Sequence, residues 1–317
     1  MKSIAFFLGG LALSFNVSAQ VFQNSAITNG TLVASAFIND NEGWLADDNG
    51  KLWHTTNGGQ TWDSTSIEKK FLKLDFTDTQ NGYALSVNAA FKTNDGGHTW
   101  SQLILPGYIG NAIWFEDSEI GFISGYEMIF KTTDGGQTWT TINTEDVSFL
   151  DFYFTNSTTG IAVANDGGYR CIWRTIDGGS SWSNVFDSIN YYMSTVWFSN
   201  ENNGWAAGYF DQIGMGKEPV ILKTSDGGTT WEEKYRYKDI LGEGESLSDI
   251  RFRNATEGYA ISRHNYDVYT NDGGETWTLM SDSENISATP VFGLYKSLDG
   301  FNDMYLVGKS GTVTIWK

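Results

Sequence analysis

Thr132-Thr133-Asp134-Gly135-Gly136-Gln137-Thr138-Trp139 is the stretch that decides the fold, because it returns five more times along the chain. The other copies run over Thr55–Trp62, Thr93–Trp100, Thr175–Trp182, Thr224–Trp231 and Thr270–Trp277. Each opens on Thr, carries Gly-Gly at its centre and closes on Trp; Asn57 stands where the other five copies have Asp. Self-similarity at a fixed period is read before any other signal, since missing it misassigns the whole fold.

A second signal precedes every copy: a phenylalanine, a glycine six positions later, then usually an aromatic. The pairs are Phe37 and Gly43, Phe76 and Gly82, Phe115 and Gly121, Phe154 and Gly160, Phe198 and Gly204, Phe252 and Gly258. From Phe37 to Phe154 the step is a constant 39 residues. Between these anchors lie short β-rich runs, such as Leu72–Phe76, Tyr83–Val87, Ala90–Thr93 and Thr99–Leu105, separated by Asn, Asp and Gly turns. Four antiparallel strands in about 40 residues is the pattern of a propeller blade, and no helical periodicity competes with it.

The expected fold is therefore all-β: a seven-bladed β-propeller of four-stranded antiparallel blades. Pro290–Lys317 supplies three strands of the seventh, because Ile315-Trp316-Lys317 aligns with Ile129-Phe130-Lys131, just before a box. Val21–Thr28, left over before the first repeat, is expected to complete that blade and close the ring, which removes exposed strand edges.

Composition narrows the function. Against 20 Lys plus Arg stand 38 Asp plus Glu, a net charge of -18 that repels phosphate backbones, so no nucleic-acid partner is expected. Lys2, the apolar run Ile4–Phe15 and the small residues Val17-Ser18-Ala19 read as a cleaved secretory leader over residues 1–19. Residues 20–317 are then a single propeller, secreted or periplasmic, monomeric and not membrane-spanning. Cys171 is the one cysteine, which excludes an intrachain disulfide. No cofactor or metal is expected: His54, His98 and His264 fall in separate loops, and no nucleotide loop or nucleophile signature appears.

The boxes themselves read as turns. Glycine takes positive φ, the Asp carboxylate accepts backbone N–H groups, and the Trp packs inward. Their spacing lacks the alternating oxygen ligands of a calcium loop. Insertions instead fall on the rim opposite the boxes, in repeats four to six, and one-sided insertions in a repeat array commonly mark its binding face. The candidate binding residues there are Tyr169, Arg170, Tyr191, Tyr192, Tyr209, Phe210, Asp211, Arg236, Tyr237, Arg263 and His264. Aromatic and arginine side chains on an acidic chain suit hot-spot recognition of a protein. Near the axis, Asp75, Asp151 and Asp249, with Arg251 close by, are the candidate catalytic carboxylates if the chain hydrolyses glycosides.

These boxes are the Asp-box motif, the bacterial neuraminidase repeat, over residues 32–317. With Phe76–Tyr83 and Thr93–Trp100 as its pattern, the chain most resembles the photosystem II assembly and stability factor propellers. That resemblance implies a non-enzymatic scaffold binding a protein partner. Sialidases share the box but add an Arg-Ile-Pro motif that this chain lacks. Xyloglucan-active glycosidases typically fuse two propellers, and sortilin-type receptors use a larger ring with a disulfide-rich module. A carbohydrate-binding or glycoside-hydrolysing propeller, with a glycan as partner, is the alternative reading.

Overall fold

The structure is a computed structural model that describes residues 21–144, 147–164, 170–212, 216–237, 245–262, 266–280, 291–296, 304–308 and 312–316. Residues 1–20, which hold the expected leader, lie outside the described residues, as do Tyr169, Arg263 and His264.

In chain order, β1 (Val21–Ala26) precedes a first blade of β2 (Leu32–Phe37), β3 (Gly43–Asp47), β4 (Lys51–Thr55) and β5 (Asp63–Ser66). The second blade is β6 (Lys73–Phe76), β7 (Gly82–Ser86), β8 (Ala89–Thr93) and β9 (Ser101–Gln102). The third is β10 (Ile109–Phe115), β11 (Gly121–Gly125), β12 (Met128–Thr132) and β13 (Thr140–Asn143). The fourth is β14 (Phe149–Phe154), β15 (Gly160–Ala164), β16 (Arg170–Thr175) and β17 (Ser183–Asp187). The fifth is β18 (Tyr191–Phe198), β19 (Gly204–Asp211), β20 (Lys217–Thr224) and β21 (Glu232–Arg236). The sixth is β22 (Leu247–Phe252), β23 (Gly258–Ser262), β24 (Val268–Thr270) and β25 (Thr278–Leu279). Then come β26 (Val291–Lys296), β27 (Met304–Gly308) and β28 (Thr312–Trp316).

The expected count of seven blades is corrected here. Among the described residues six four-stranded antiparallel blades are each built from four consecutive strands and carry one box apiece. The physical reason is the supply of boxes: the chain has six, so no seventh box turn leads into a following strand. The remaining strands form a composite sheet of order β1-β28-β27-β26, drawn from both ends of the chain. In it Asn24 pairs with Thr314 and Ser25 with Val313, and β26 lies between β22 and β2 in the ring.

The phenylalanine–glycine signature has a packing cause. A Cβ on Gly43 would sit 2.1 Å from Phe37 Cδ1, and one on Gly121 2.2 Å from Phe115 Cδ1, so the ring lies flat on a bare backbone. Each anchor ring also meets its own box tryptophan edge-on: Phe37 and Trp62 at 6.2 Å and 88°, Phe252 and Trp277 at 5.7 Å and 85°. Ile161 follows Gly160, but in four other blades the residue after the glycine is an aromatic that reaches the next blade. Trp44 stacks on Phe76 at 3.8 Å, Tyr83 on Phe115, Phe122 on Phe154 at 4.6 Å and Trp205 on Phe252 at 3.8 Å. Aromatic pairs contribute about 0.5–1.5 kcal/mol beyond area burial, so this chain of rings stitches blade to blade around the ring.

Candidate functional site

Three regions carry polar or aromatic side chains in defined arrangements. On the box rim, the Thr138 N–H and hydroxyl both donate to Asp134, as does the Thr132 hydroxyl, while Gly136 N–H donates to Thr132 Oγ1. The Thr138 hydroxyl, then its N–H, hold the Asp134 carboxyl down at about 2. Asp95, Asp177 and Asp272 also lie at about 2; for Asp95 and Asp272 a desolvation cost is outweighed by the Thr99 and Thr276 bonds. Asn57 keeps the geometry by accepting Thr61 N–H and donating to Thr61 Oγ1. Both oxygens of the Asp134 carboxylate are thus engaged by the turn that presents it.

Sequence reasoning missed how the boxes are held across blades. Lys131 Nζ donates to Gly178 O at 2.6 Å, Arg174 Nε to Gly227 O at 2.8 Å, and Lys223 Nζ to Gly273 O at 2.7 Å. Lys92 does the same for Gly135 O, and Trp44 Nε1 for Gly96 O. The signal was available: Lys92, Lys131, Arg174 and Lys223 each stand immediately before a box threonine. Their cations are spent on the next blade's box.

Along the axis the inner strands of the six blades line a cavity of about 370 Å³. It runs from Lys73, Asp151, Thr195 and Asp249 on the inner strands to Ile38, Thr77 and Glu116, which follow the phenylalanine anchors at the box-rim end. The structure brings Asp75, Asp151 and Asp249 together on its wall, beside Trp114, Tyr153 and Trp197. Asp75 Oδ2 accepts Phe115 N–H at 2.6 Å; Asp151 Oδ2 accepts the Thr195 hydroxyl and Val196 N–H. Arg251 Nη1 pairs with Asp249 Oδ1 at 2.7 Å. Burial, opposed by the Phe115 N–H and reinforced by Asp151, raises Asp75 to about 7. Burial also raises Asp249, against the pull of Arg251.

On the rim opposite the boxes, the fifth blade projects. Its first three strands have eight residues each, where the corresponding β6, β7 and β8 have four, five and five. The extra length pairs Tyr191 with Phe210, Tyr192 with Tyr209 and Asp211 with Lys217. The two faces of this extension differ. On one, Phe210 lies under Arg236 at 4.2 Å and edge-on to Tyr191; Arg236 bonds Glu233, which accepts the Tyr191 hydroxyl. These side chains also meet Phe186 of the fourth blade, so they brace the extension. On the other, Tyr192 and Tyr209 stack at 4.6 Å and 3°, with Lys217 Nζ 4.6 Å from the Tyr209 ring. Tyr237 approaches Tyr266 at 5.5 Å nearby in the chain's next link. The structure therefore divides the sequence candidates into bracing residues and a ledge. Of Arg170 only the backbone, at the start of β16, is described.

Among the described residues no group of three His, Cys, Asp or Glu side chains could hold a metal, and no helix is long and apolar enough to cross a membrane.

Comparison with known proteins places the sequence signals. The family model described as photosynthesis system II assembly factor YCF48 matches residues 64–147, and that of the BNR/Asp-box repeat matches residues 268–279. A photosystem II assembly lipoprotein Ycf48 of Synechococcus sp. (strain CC9902) is 39% identical over 64 residues, which span 19% of this chain and 19% of that protein. The structure of YCF48 bound to D1 peptide superposes with a TM-score of 0.69 at 20% identity, covering 93% of this chain and 96% of that one. A glycoside hydrolase of Niastella koreensis superposes with a TM-score of 0.70 at 15% identity, covering 92% of this chain but 53% of that one. At such identities both likenesses concern the fold alone.

Proposed function

We propose that this chain, a YCF48-like Asp-box β-propeller, is a non-enzymatic scaffold that binds a protein partner outside the cytoplasm. The observation that carries the reading is the Tyr192–Tyr209 ledge with Lys217, held out from the ring on the eight-residue strands of the fifth blade. Large amphipathic rings with few rotatable bonds give contact area at low entropic cost, and a lysine stacked beside them supplies a positive handle on an acidic chain. Support for a peptide-like partner comes from YCF48, whose structure has been solved with a D1 peptide. The leader expected over residues 1–19 supports a secreted or periplasmic site of action.

The test is quantitative affinity capture from the source organism's envelope fraction with the wild type, Asp134→Asn and the double variant Tyr192→Ser/Tyr209→Ser. A partner retained by the first two and lost from the third is the expected result; capture indifferent to the ledge would contradict the proposal. A second reading, glycoside hydrolysis, draws on Asp75 and Asp151 sharing one cavity with Asp75 raised to about 7, as acid–base chemistry requires. Turnover in a chromogenic glycoside panel, abolished by Asp151→Ala, would replace the scaffold reading with that one.

A further inference from the structure

We infer that the axial cavity is a second binding site, separate from the ledge, and that it takes an organic cation: an ammonium or guanidinium group entering from the box rim. The cavity's own cations are committed elsewhere. Arg251 bonds Asp249 and the Ile250 carbonyl, and Lys73 acts on Asp249 through space. What faces Asp75 is burial, one backbone N–H and the like charge of Asp151. The two carboxyl groups thus share a wall, and a cation seated beside them would offset the repulsion and burial that oppose ionisation of Asp75.

Two further observations point to a ligand rather than to a merely acidic lining. Ser35, fully buried on the cavity wall, has a hydroxyl with no hydrogen-bond partner among the described residues. A buried hydroxyl left unpaired costs about 1–3 kcal/mol, so it gains from an N–H donor brought by a guest. The wall also carries aromatic side chains: Trp114, Tyr153 and Trp197 come from three successive blades. Aromatic rings together with carboxylates are a combination that holds ammonium and guanidinium groups, by cation–π attraction and charge-assisted hydrogen bonds. A volume of about 370 Å³ admits a lysine or arginine side chain with its water.

Protonation couples to this site with a definite sign. Lys73 on the same strand, Asp151 and Tyr153 on β14, Asp249 and Arg251 on β22 and Glu116 at the mouth are the charged and titratable groups lining the cavity with Asp75. Because Asp75 holds its proton up to about 7, a cation binds the deprotonated form and displaces that proton. Affinity therefore rises with pH, by about tenfold per unit below that value, and levels off above it.

The experiment is titration calorimetry of the purified protein with N-acetyl-lysine methylamide, its neutral Nε-acetyl derivative and n-butylamine, paired with indole N–H shifts in NMR. The expected result is binding of the cations and not of the neutral derivative, shifts at Trp114 and Trp197, and tightening from pH 6 to pH 8. Asp75→Asn and Asp151→Asn should each weaken binding at least tenfold. The asparagine at 75 keeps the acceptor for Phe115 N–H, and its melting curve reports on folding separately. Binding of butylamine alone assigns the site to a free amine; binding of the blocked lysine assigns it to a protein side chain. Equal binding of the neutral derivative, no heat or shift from either cation, or an Asp151→Asn variant with unchanged affinity would overturn the inference. None of these outcomes depends on the ledge.

Discussion

Asp134 and Asp75 are the same side chain in opposite circumstances. Asp134 sits on an exposed turn with three donors aimed at it and lies at about 2; Asp75 faces a cavity with a single backbone donor and a like charge, and lies at about 7. The difference teaches which carboxylates are available. A box aspartate has both oxygens engaged by the turn it stabilises, whereas Asp75 accepts one backbone N–H and lines the proposed cation site. Repetition in the sequence therefore marks scaffold, and departure from repetition marks where the proposed sites fall.

Several substitutions would break or sharpen that contrast. The largest effect is expected from Gly228→Ala, since its φ is +81° and a Cβ would lie 2.3 Å from Ile161 Cδ1 in the preceding blade. A loss of about 2–4 kcal/mol in urea unfolding is expected from the combined strain and clash, which would show that the boxes are built for packing.

Next is Asp75→Asn, whose effect should have the opposite sign. Unfolded carboxyls titrate near 4, so a folded value raised to about 7 makes Asp75 progressively destabilising as pH climbs from about 4 to about 7. The variant should gain about 2 kcal/mol at pH 8 and nothing at pH 4; that is roughly half of what the full shift implies, because Asp75 is only half-buried. Chemical denaturation at the two pH values checks it.

Asp226→Ala should cost about 1–2 kcal/mol, because Thr230 N–H, the Thr230 hydroxyl and the Thr224 hydroxyl lose their acceptor. Asp226→Asn should cost less, as Asn57 already serves the first box with its side-chain oxygen. The box carboxyls are lowered on folding, so their stabilisation is present above about pH 4 and is lost as pH falls through about 2. The smallest effect is expected from Lys131→Met, which removes one bond to Gly178 O and should cost about 1 kcal/mol by thermal melting.

Much of this was legible in the sequence because the repeats are rigid in spacing. The Phe–Gly interval of six survives because a ring must lie on a bare backbone, and the box spacing survives because one carboxylate must span four residues. Strand number per blade followed directly. The blade count did not, because three strands at one end and one at the other, with no box between them, make a sheet of a different kind from the six repeats. At the sites, position was readable and role was not. Insertions located the fifth-blade extension, yet only its pleat separates Tyr192 and Tyr209 on one face from Tyr191 and Phe210 on the other. Likewise Asp75, Asp151 and Asp249 could be placed near the axis from their strand positions, but the raised state of Asp75 comes from burial and from a neighbour 76 residues along the chain.

The most direct test of the contrast between box and axis is a carbon-detected NMR titration of the aspartate carboxyls in the wild-type protein. The account predicts that Asp95, Asp134, Asp177 and Asp272 titrate at about 2 while Asp75 titrates at about 7. Finding Asp75 in the ordinary range near 4, together with the box aspartates, would contradict it.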